Sequence, residues 1–236
     1  MANENLSSLL SAIHEVVQDG AYSDLILTPM INDAISIIAS GVRLPNQGIS
    51  PPLPDLYTIA SVMTTAQAYV DLPDNYQRDM TLLIDSNGNK ISPLRGGSYY
   101  SFGLFMSRVS RPNLSETGSV YTAVIKGRKL YYQGIPSISE NLGLHYYRKP
   151  TPLVTMADTV DGIPDQFQRR LVKHYVCKEI FGEAIEDGQD NKGIGTRYHT
   201  ERFYEVMREL ADFIGIDAVP VYYGDSGTTD AGACDG

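Results

Sequence analysis

The chain has 236 residues, of which 42% are apolar and 20% are charged, as is usual for a globular protein with a buried core. The formal net charge of −9 argues against a protein that mainly grips phosphates, because such proteins carry a basic face. Sixteen tyrosines accompany six phenylalanines and no tryptophan. Since tyrosine is common in strands and at interfaces, this usage favours both β structure and contact surfaces.

The cysteine content and the hydropathy pattern predict the compartment. Cys177 lies in a predicted helix and Cys234 lies in a polar tail, so we expect no disulfide and a reducing environment. The N-terminal residues lack the basic region and cleavage site of a signal peptide. No apolar run reaches the ~18 residues that span a bilayer. We therefore expect a protein that is neither secreted nor embedded in a membrane.

Two amphipathic helices are predicted at the N-terminus. The first has apolar residues at spacings of three and four from Leu6 to Val17, with Asn3 or Asn5 as its cap. The second is predicted to begin at Thr28-Pro29, because proline is common at the first helical position, and to end at Gly41. Each helix has an apolar face that needs a partner.

A β-rich segment follows. Residues 42–56 contain four prolines and interrupt regular structure, and beyond them the apolar period changes to two. Six or seven strands are predicted up to Arg148, including one over Tyr99–Val109. Asn87-Gly88 and Lys126-Gly127-Arg128 are typical of tight hairpin turns. Because the connections are short, we expect antiparallel pairing.

The helical period returns after Gly162-Ile163-Pro164, which predicts a helix to about Ile185. A polar, glycine-rich break over 187–195 precedes a last helix from about Thr196 to Ile214. The residues after Gly215 are first apolar and extended, then small and acidic, and we expect their end to be disordered.

The simplest architecture is an α+β fold in which the N-terminal and C-terminal helix pairs form one antiparallel bundle, with an antiparallel β domain inserted between them. The predicted boundaries are 1–45 for the N-terminal helices, 46–155 for the inserted domain, 156–216 for the C-terminal helices and 217–236 for an extended acidic arm.

No catalytic residue, cofactor site or metal site is predicted. Asp85-x-Asn87-x-Asn89 has its glycine at the wrong place for a calcium loop, so we expect a hairpin turn. Cys177 should be inert on an apolar helix face. We expect Asp158 and Asp161 to act at helix ends, although a pair of glycosidase carboxylates is left open. The four histidines lie in four separate elements, where surface or interface positions are expected: His14, His145, His174 and His199.

Two sets of residues are candidates for binding other proteins. Tyr131-Tyr132 and Tyr146-Tyr147 place one ring of each pair on either face of a sheet, so we expect at least one to be exposed or covered by a neighbour. The arm beyond the last helix carries an apolar segment that can dock on another subunit by strand addition. Its residues are Val219, Pro220, Val221, Tyr222 and Tyr223.

Three stretches of this chain resemble segments of the head-to-tail adaptor, or connector, proteins of tailed bacteriophages, notably the short-tailed type. The first is Leu72-Pro73-Asp74-Asn75-Tyr76-Gln77-Arg78-Asp79, which resembles the family's segment leading into the β insertion. The second is Gly134-Ile135-Pro136 together with Leu144-His145-Tyr146-Tyr147-Arg148-Lys149-Pro150-Thr151-Pro152-Leu153. The third is Asp158 followed by Ile163-Pro164-Asp165-Gln166-Phe167.

The resemblance implies a non-enzymatic virion protein of the neck region, made in the host cytoplasm. It implies a ring, typically dodecameric, that docks on the portal protein through the C-terminal arm and offers a surface to the tail. It also implies that DNA passes through the lumen without sequence-specific binding, which suits a net acidic chain. Two alternatives remain open: a tail or head-decorating protein whose β domain binds a partner or a glycan, and a hydrolase that uses scattered carboxylates.

Overall fold

A computed structural model describes residues 3–45, 48–91, 117–186 and 193–215. Within these ranges the protein has four α-helices, a short 3-10 helix and eight β-strands, so the predicted α+β class is confirmed. The helices are α1 (Leu6–Val17), α2 (Asp24–Ser40), α3 (Asp165–Glu186) and α4 (Gly193–Ile214), and the 3-10 helix is Pro54–Leu56. The strands are β1 (Arg43–Leu44), β2 (Gly48–Ile49), β3 (Tyr57–Met63), β4 (Tyr69–Asp71), β5 (Tyr76–Ile84), β6 (Thr122–Lys126), β7 (Lys129–Gln133) and β8 (Asn141–Arg148).

Helix α1 begins where the sequence predicts it. The Asn5 side chain accepts a hydrogen bond from the Ser8 amide at 2.9 Å, and the Asn5 amide donates to the Ser8 hydroxyl at 3.2 Å. This reciprocal capping box satisfies two amides at the helix start. Six residues of α1 are buried: Leu6, Leu9, Leu10, Ala12, Ile13 and Val17.

Helix α2 begins five residues earlier than predicted. Its N-cap is Ser23, so Pro29 lies inside the helix instead of at its first position. A proline there removes one hydrogen bond, to the carbonyl of Leu25. Leu25 is 85% exposed and Pro29 is also exposed, so water can reach that carbonyl and the cost stays small. The predicted end at Gly41 is confirmed.

All four helices share one hydrophobic core. Helix α3 packs against α1, α2 and α4, and α1 also packs against α2. Each predicted amphipathic face therefore finds a partner within the chain. The most deeply buried large residues of this core include Leu9, Ile13, Leu27, Ile31, Ile35, Leu171, Val176, Ile180 and Phe203.

The described residues divide into two compact units. The helical unit contains residues 3–45, 48–58, 75–79, 146–186 and 193–215, and the β-rich unit contains 59–74, 80–91 and 117–145. Residues at both ends of the predicted 46–155 segment thus belong to the helical unit. The unit boundaries fall within β3, β5 and β8 or at the turn before β5.

The strands form three small sheets. β1 pairs with β2, the order of the second sheet is β3-β8-β5, and the order of the third is β4-β7-β6. The pairs β1–β2, β4–β7 and β6–β7 are antiparallel, as expected from the short connections. The predicted strand Tyr99–Val109 lies outside the described residues.

Both predicted hairpin turns are present. Gly127 and Arg128 connect β6 to β7, with Lys126 paired to Lys129. At the other turn the Gly88 amide donates to the Asp85 carbonyl at 3.1 Å, and the Asp85 amide donates to the Asn89 carbonyl at 2.9 Å. Only Gly88 has a positive φ there, of 83°, so the turn differs from the two-residue type in which both central residues have positive φ.

Candidate functional site

Parts of the three stretches that carry the resemblance lie in the helical unit, namely residues 75–79, 146–153 and 158–167. The Tyr146 hydroxyl donates to the Asn75 side-chain oxygen at 2.6 Å, and the Tyr146 and Tyr76 rings lie 5.4 Å apart. Arg148, at the end of β8, donates to both carboxylate oxygens of Asp161 at 2.6 and 3.1 Å. The end of β8 is therefore held from two sides.

The ion pair between Arg148 and Asp161 fixes the segment between β8 and α3. Asp161 also accepts from the Thr151 amide and hydroxyl at 2.9 and 3.0 Å. Burial raises the pKa of Asp161, but the hydrogen bonds from Arg148 and Thr151 outweigh it and hold that pKa below its usual value. The hydrogen bond to Asp161 raises the pKa of Arg148. Both groups are thus charged over the neutral range.

The predicted role of the two carboxylates at helix ends is wrong. Asp158 accepts from the Val154 and Thr155 amides, both at 2.7 Å, and from the Thr155 hydroxyl at 2.6 Å. These bonds lower the pKa of Asp158. Helix α3 begins only at Asp165, so Asp158 and Asp161 brace the loop that precedes the helix.

The 149–165 loop is anchored to the N-terminal helices as well. The Asn32 side chain of α2 accepts from the Leu153 amide at 2.8 Å and donates to the Leu153 carbonyl at 2.9 Å. The Leu6 amide donates to the Asp158 carbonyl at 3.0 Å, and the Val160 amide donates to the Glu4 carbonyl at 3.0 Å. The loop is therefore an ordered part of the helical unit.

This loop and the end of α4 line a groove of about 1330 Å³ within the helical unit. Apolar and acidic side chains share its walls. Phe213 of α4 and Val154 of the loop line it and are 60% and 79% exposed. The Arg148–Asp161 pair lies on the same wall. No sequence motif marked this groove, because its walls come from residues far apart in the chain.

The predicted interface tyrosines of the β-rich unit are placed differently from one another. Tyr132 is fully buried, and its hydroxyl accepts from the Thr65 amide at 2.9 Å. Tyr131 is partly buried, and its ring lies 5.5 Å from that of Tyr69. Lys129 places its ammonium group 3.9 Å from the centre of the Tyr69 ring, a cation–π contact. Tyr131 is thus the member of this pair that retains surface.

Tyr146 and Tyr147 are both buried in the helical unit, at 1% and 8% exposure. Neither ring of this pair is therefore exposed. Tyr147 packs edge-on against Tyr57 at 5.8 Å, and burial raises the pKa values of Tyr146 and Tyr147. The two rings alternate as predicted, but each face is covered by the chain itself. The predicted arm residues, Val219 to Tyr223, lie outside the described residues.

Two histidines that the sequence placed in separate elements lie together. The Nδ1 atoms of His174 on α3 and His199 on α4 are 2.8 Å apart, and both residues are buried. The expectation of surface histidines is therefore wrong for this pair. Burial, followed by the charge of His199, lowers the pKa of His174 to about 4. Burial also lowers the pKa of His199. The sequence carries no signal for this contact, because the two residues are 25 positions apart on different helices.

Cys177 and Asp85 lie in the surroundings that the sequence predicts for them. Cys177 is fully buried, and burial raises the pKa of its thiol to about 12. The Asp85 carboxylate accepts from the amides of Asn87 and Asn89, both at 2.8 Å, as in a closed turn. Among the described residues, no three His, Cys, Asp or Glu side chains are grouped to hold a metal ion. None of the described helices is long and apolar enough to span a membrane.

Comparison with known proteins identifies the family. No curated protein matches the chain. The SU10 adaptor protein family matches residues 4–226, which is almost the whole of the 236-residue sequence. This match confirms the resemblance carried by the three stretches. The chain therefore belongs to the SU10 adaptor protein family and is a head-to-tail adaptor of a bacteriophage, a structural protein and not a member of an enzyme class.

Proposed function

We propose that the protein forms a dodecameric ring between the portal and the tail, where it continues the DNA channel and offers a docking surface to the tail. The observation that carries this proposal is the family match over residues 4–226. The net charge of −9 supports it, because a negative lumen repels DNA and lets it slide. We infer the matching architecture: one antiparallel helical bundle that carries an inserted β domain, with the C-terminal arm as a separate part.

The helical unit offers the two different patches that a ring needs. A ring closes through heterologous contacts, in which one patch of a subunit meets a different patch of the next. Ile26 and Ile37 are exposed on α2, at 46% and 40%. Ile194 and Tyr198 are exposed one turn apart on α4, at 82% and 50%. We propose that these patches face each other between neighbouring subunits.

The arm and the β-rich unit complete the proposed contacts. The apolar segment Val219 to Tyr223 docks on the portal, since it adds apolar side chains beyond the last helix. Tyr131 belongs to a partner surface of the β-rich unit, as the one ring of the two tyrosine pairs that keeps exposed area. Because the arm binds the portal in this proposal, we assign the β-rich unit to binding the tail.

Deletion of Ala218–Gly236 tests the proposal. We expect this variant to fold, with an unchanged helical signal in circular dichroism, and to lose binding to purified portal and ring formation in negative-stain electron microscopy. A control that lacks only 225–236 keeps the apolar segment and should still bind. Portal binding by the longer deletion at the level of the full chain would refute the docking role. Glycan binding without rings would favour a decorating protein instead.

A further inference from the structure

The groove beside the 149–165 loop has an apolar floor. Leu153, Val160 and Ile163 are each 2% exposed and belong to the core of the helical unit. Phe213 and Val154 stand above this floor, with most of their surface in solvent. Its volume of about 1330 Å³ exceeds the ~300–1,000 Å³ of ordinary small-molecule pockets. The shape and lining therefore suit a segment of polypeptide.

The charge of the groove determines the sign of the net charge that a bound polypeptide segment should carry. Four carboxylates line it, those of Asp55, Asp158, Asp161 and Asp165. Among the described residues that line it, Arg148 is the one Lys or Arg, and its charge is matched by Asp161. The lowered pKa values of Asp158 and Asp161 keep both negative in the neutral range. The groove thus has an excess of negative charge.

One of the two helix ends at the groove reinforces its negative charge. Helix α4 ends there at Ile214, and its last turn contains no basic residue but does contain Asp212. The free carbonyls of a helix C-terminus carry a partial negative charge, about half an elementary charge in total. Helix α3 begins at the groove with the opposite polarity, but Asp165 in its first turn complements that end. The net field therefore favours a cation.

The C-terminal arm is a poor source of the occupant. Residues 216–236 contain four Asp and no Lys or Arg, so the arm of this copy or of a neighbour would be repelled. We propose that the groove binds an extended segment of another virion protein that combines Lys or Arg with Leu, Val or Pro side chains. That the partner is a virion protein rests on the proposed function. The chemistry required of the partner segment follows from the groove alone.

Peptide binding to the full chain tests this proposal. The probes are fluorescein-labelled twelve-residue peptides that alternate Lys with Leu, Val and Pro, and a matched set with Glu in place of Lys. Overlapping peptides of the portal and tail proteins from the same virion form a third set. We expect saturable binding, measured by fluorescence anisotropy, of the Lys set and of basic peptides in the third set. Binding should weaken several-fold as salt rises, because it is partly electrostatic.

Variants of the groove locate the binding. We expect Phe213→Ser to weaken binding of the Lys set about tenfold, as loss of an aromatic anchor does. Asp55→Asn, which removes one exposed charge, should weaken it about two- to threefold. Two controls in the β-rich unit, Ile138→Ser and Asp71→Asn, remove an exposed apolar and an exposed acidic side chain and should leave binding unchanged. If Phe213→Ser does not fold by circular dichroism, Val154→Ser replaces it.

Several results would overturn the proposal. They are equal binding of the Lys and Glu sets, absence of saturable binding by every basic peptide, or unchanged affinity in the groove variants. If the chain forms rings and binds portal but gives these results, the proposed function stands and the proposed peptide binding in the groove is refuted. If the chain binds the Lys peptides through Phe213 but forms no ring, peptide binding in the groove stands and the proposed ring is refuted.

Discussion

Acid should destabilise the helical unit through the buried pair of His174 and His199. A single hydrogen bond between two Nδ1 atoms requires that one carries a hydrogen and the other does not. When both rings are protonated, two N–H groups face each other and the bond is lost. Phe181 packs against the ring of His199, and Tyr198 packs against both rings. The pair is therefore stable only when at least one ring is neutral.

Nearby cations act in the same direction. Lys173, Arg170 and Arg202 all disfavour a charge on His174, after burial and the effect of His199. A histidine whose pKa is lower in the folded state binds more protons when unfolded. Stability is therefore complete above the unfolded-state pKa of about 6.5 and falls as the pH drops toward 4.

The size of the effect follows from the two pKa values of His174. A shift from about 6.5 to about 4 corresponds to a loss of about 2 kcal/mol at pH 5 relative to pH 8. Solvent screening of the charged ring reduces this value, so we expect about 1–2 kcal/mol. Burial also lowers the pKa of His145, which adds a loss in the same direction.

Urea denaturation followed by the helical circular dichroism signal measures this loss. We expect the midpoint to fall between pH 7 and pH 5 in the wild type, and to fall less in the double variant His174→Gln/His199→Gln. His14→Gln, at an exposed histidine, is the control and should keep the wild-type acid loss. An acid loss in the double variant as large as in the wild type would refute the role of the pair.

Two further predictions concern the 149–165 loop. Gly162 has a φ of +82°, and a Cβ there would lie 2.5 Å from two side-chain carbons of Leu56, so Gly162→Ala should destabilise by about 2–4 kcal/mol. Gly182→Ala is its control, because a Cβ there meets nothing within 4 Å, and this variant should have a higher melting temperature than the wild type. An equal loss of stability in the two variants would contradict this account. Asn32→Ala removes both hydrogen bonds to the Leu153 peptide groups and should cost about 1–3 kcal/mol in urea titrations, whereas Asp33→Ala, at an exposed neighbour, should cost much less.

The start of a helix can be read from the sequence only where the cap is local. Asn5 and Ser8 together cap α1, so the sequence signal for the start of this helix lies within four positions. The start of α2 was misplaced because Pro29 is tolerated inside the helix, where a neighbouring carbonyl is exposed. The solvent exposure of that carbonyl is a property of the folded protein, so the position of a proline in the sequence does not reveal it.

The sequence by itself determined the α+β class, the order of the four helices and of strands β3 to β8, both hairpin turns and the family, because each of these depends on local period, turn residues or short motifs. It did not indicate β1 and β2, which lie in the proline-rich segment predicted to lack regular structure. Tertiary structure alone decided that Tyr146 and Tyr147 are covered, that Arg148 pairs with Asp161, and that His174 meets His199. It also decided the groove, whose walls come from distant segments. Burial and charge pairing arise only when such segments pack together, and the sequence does not specify which segments those are.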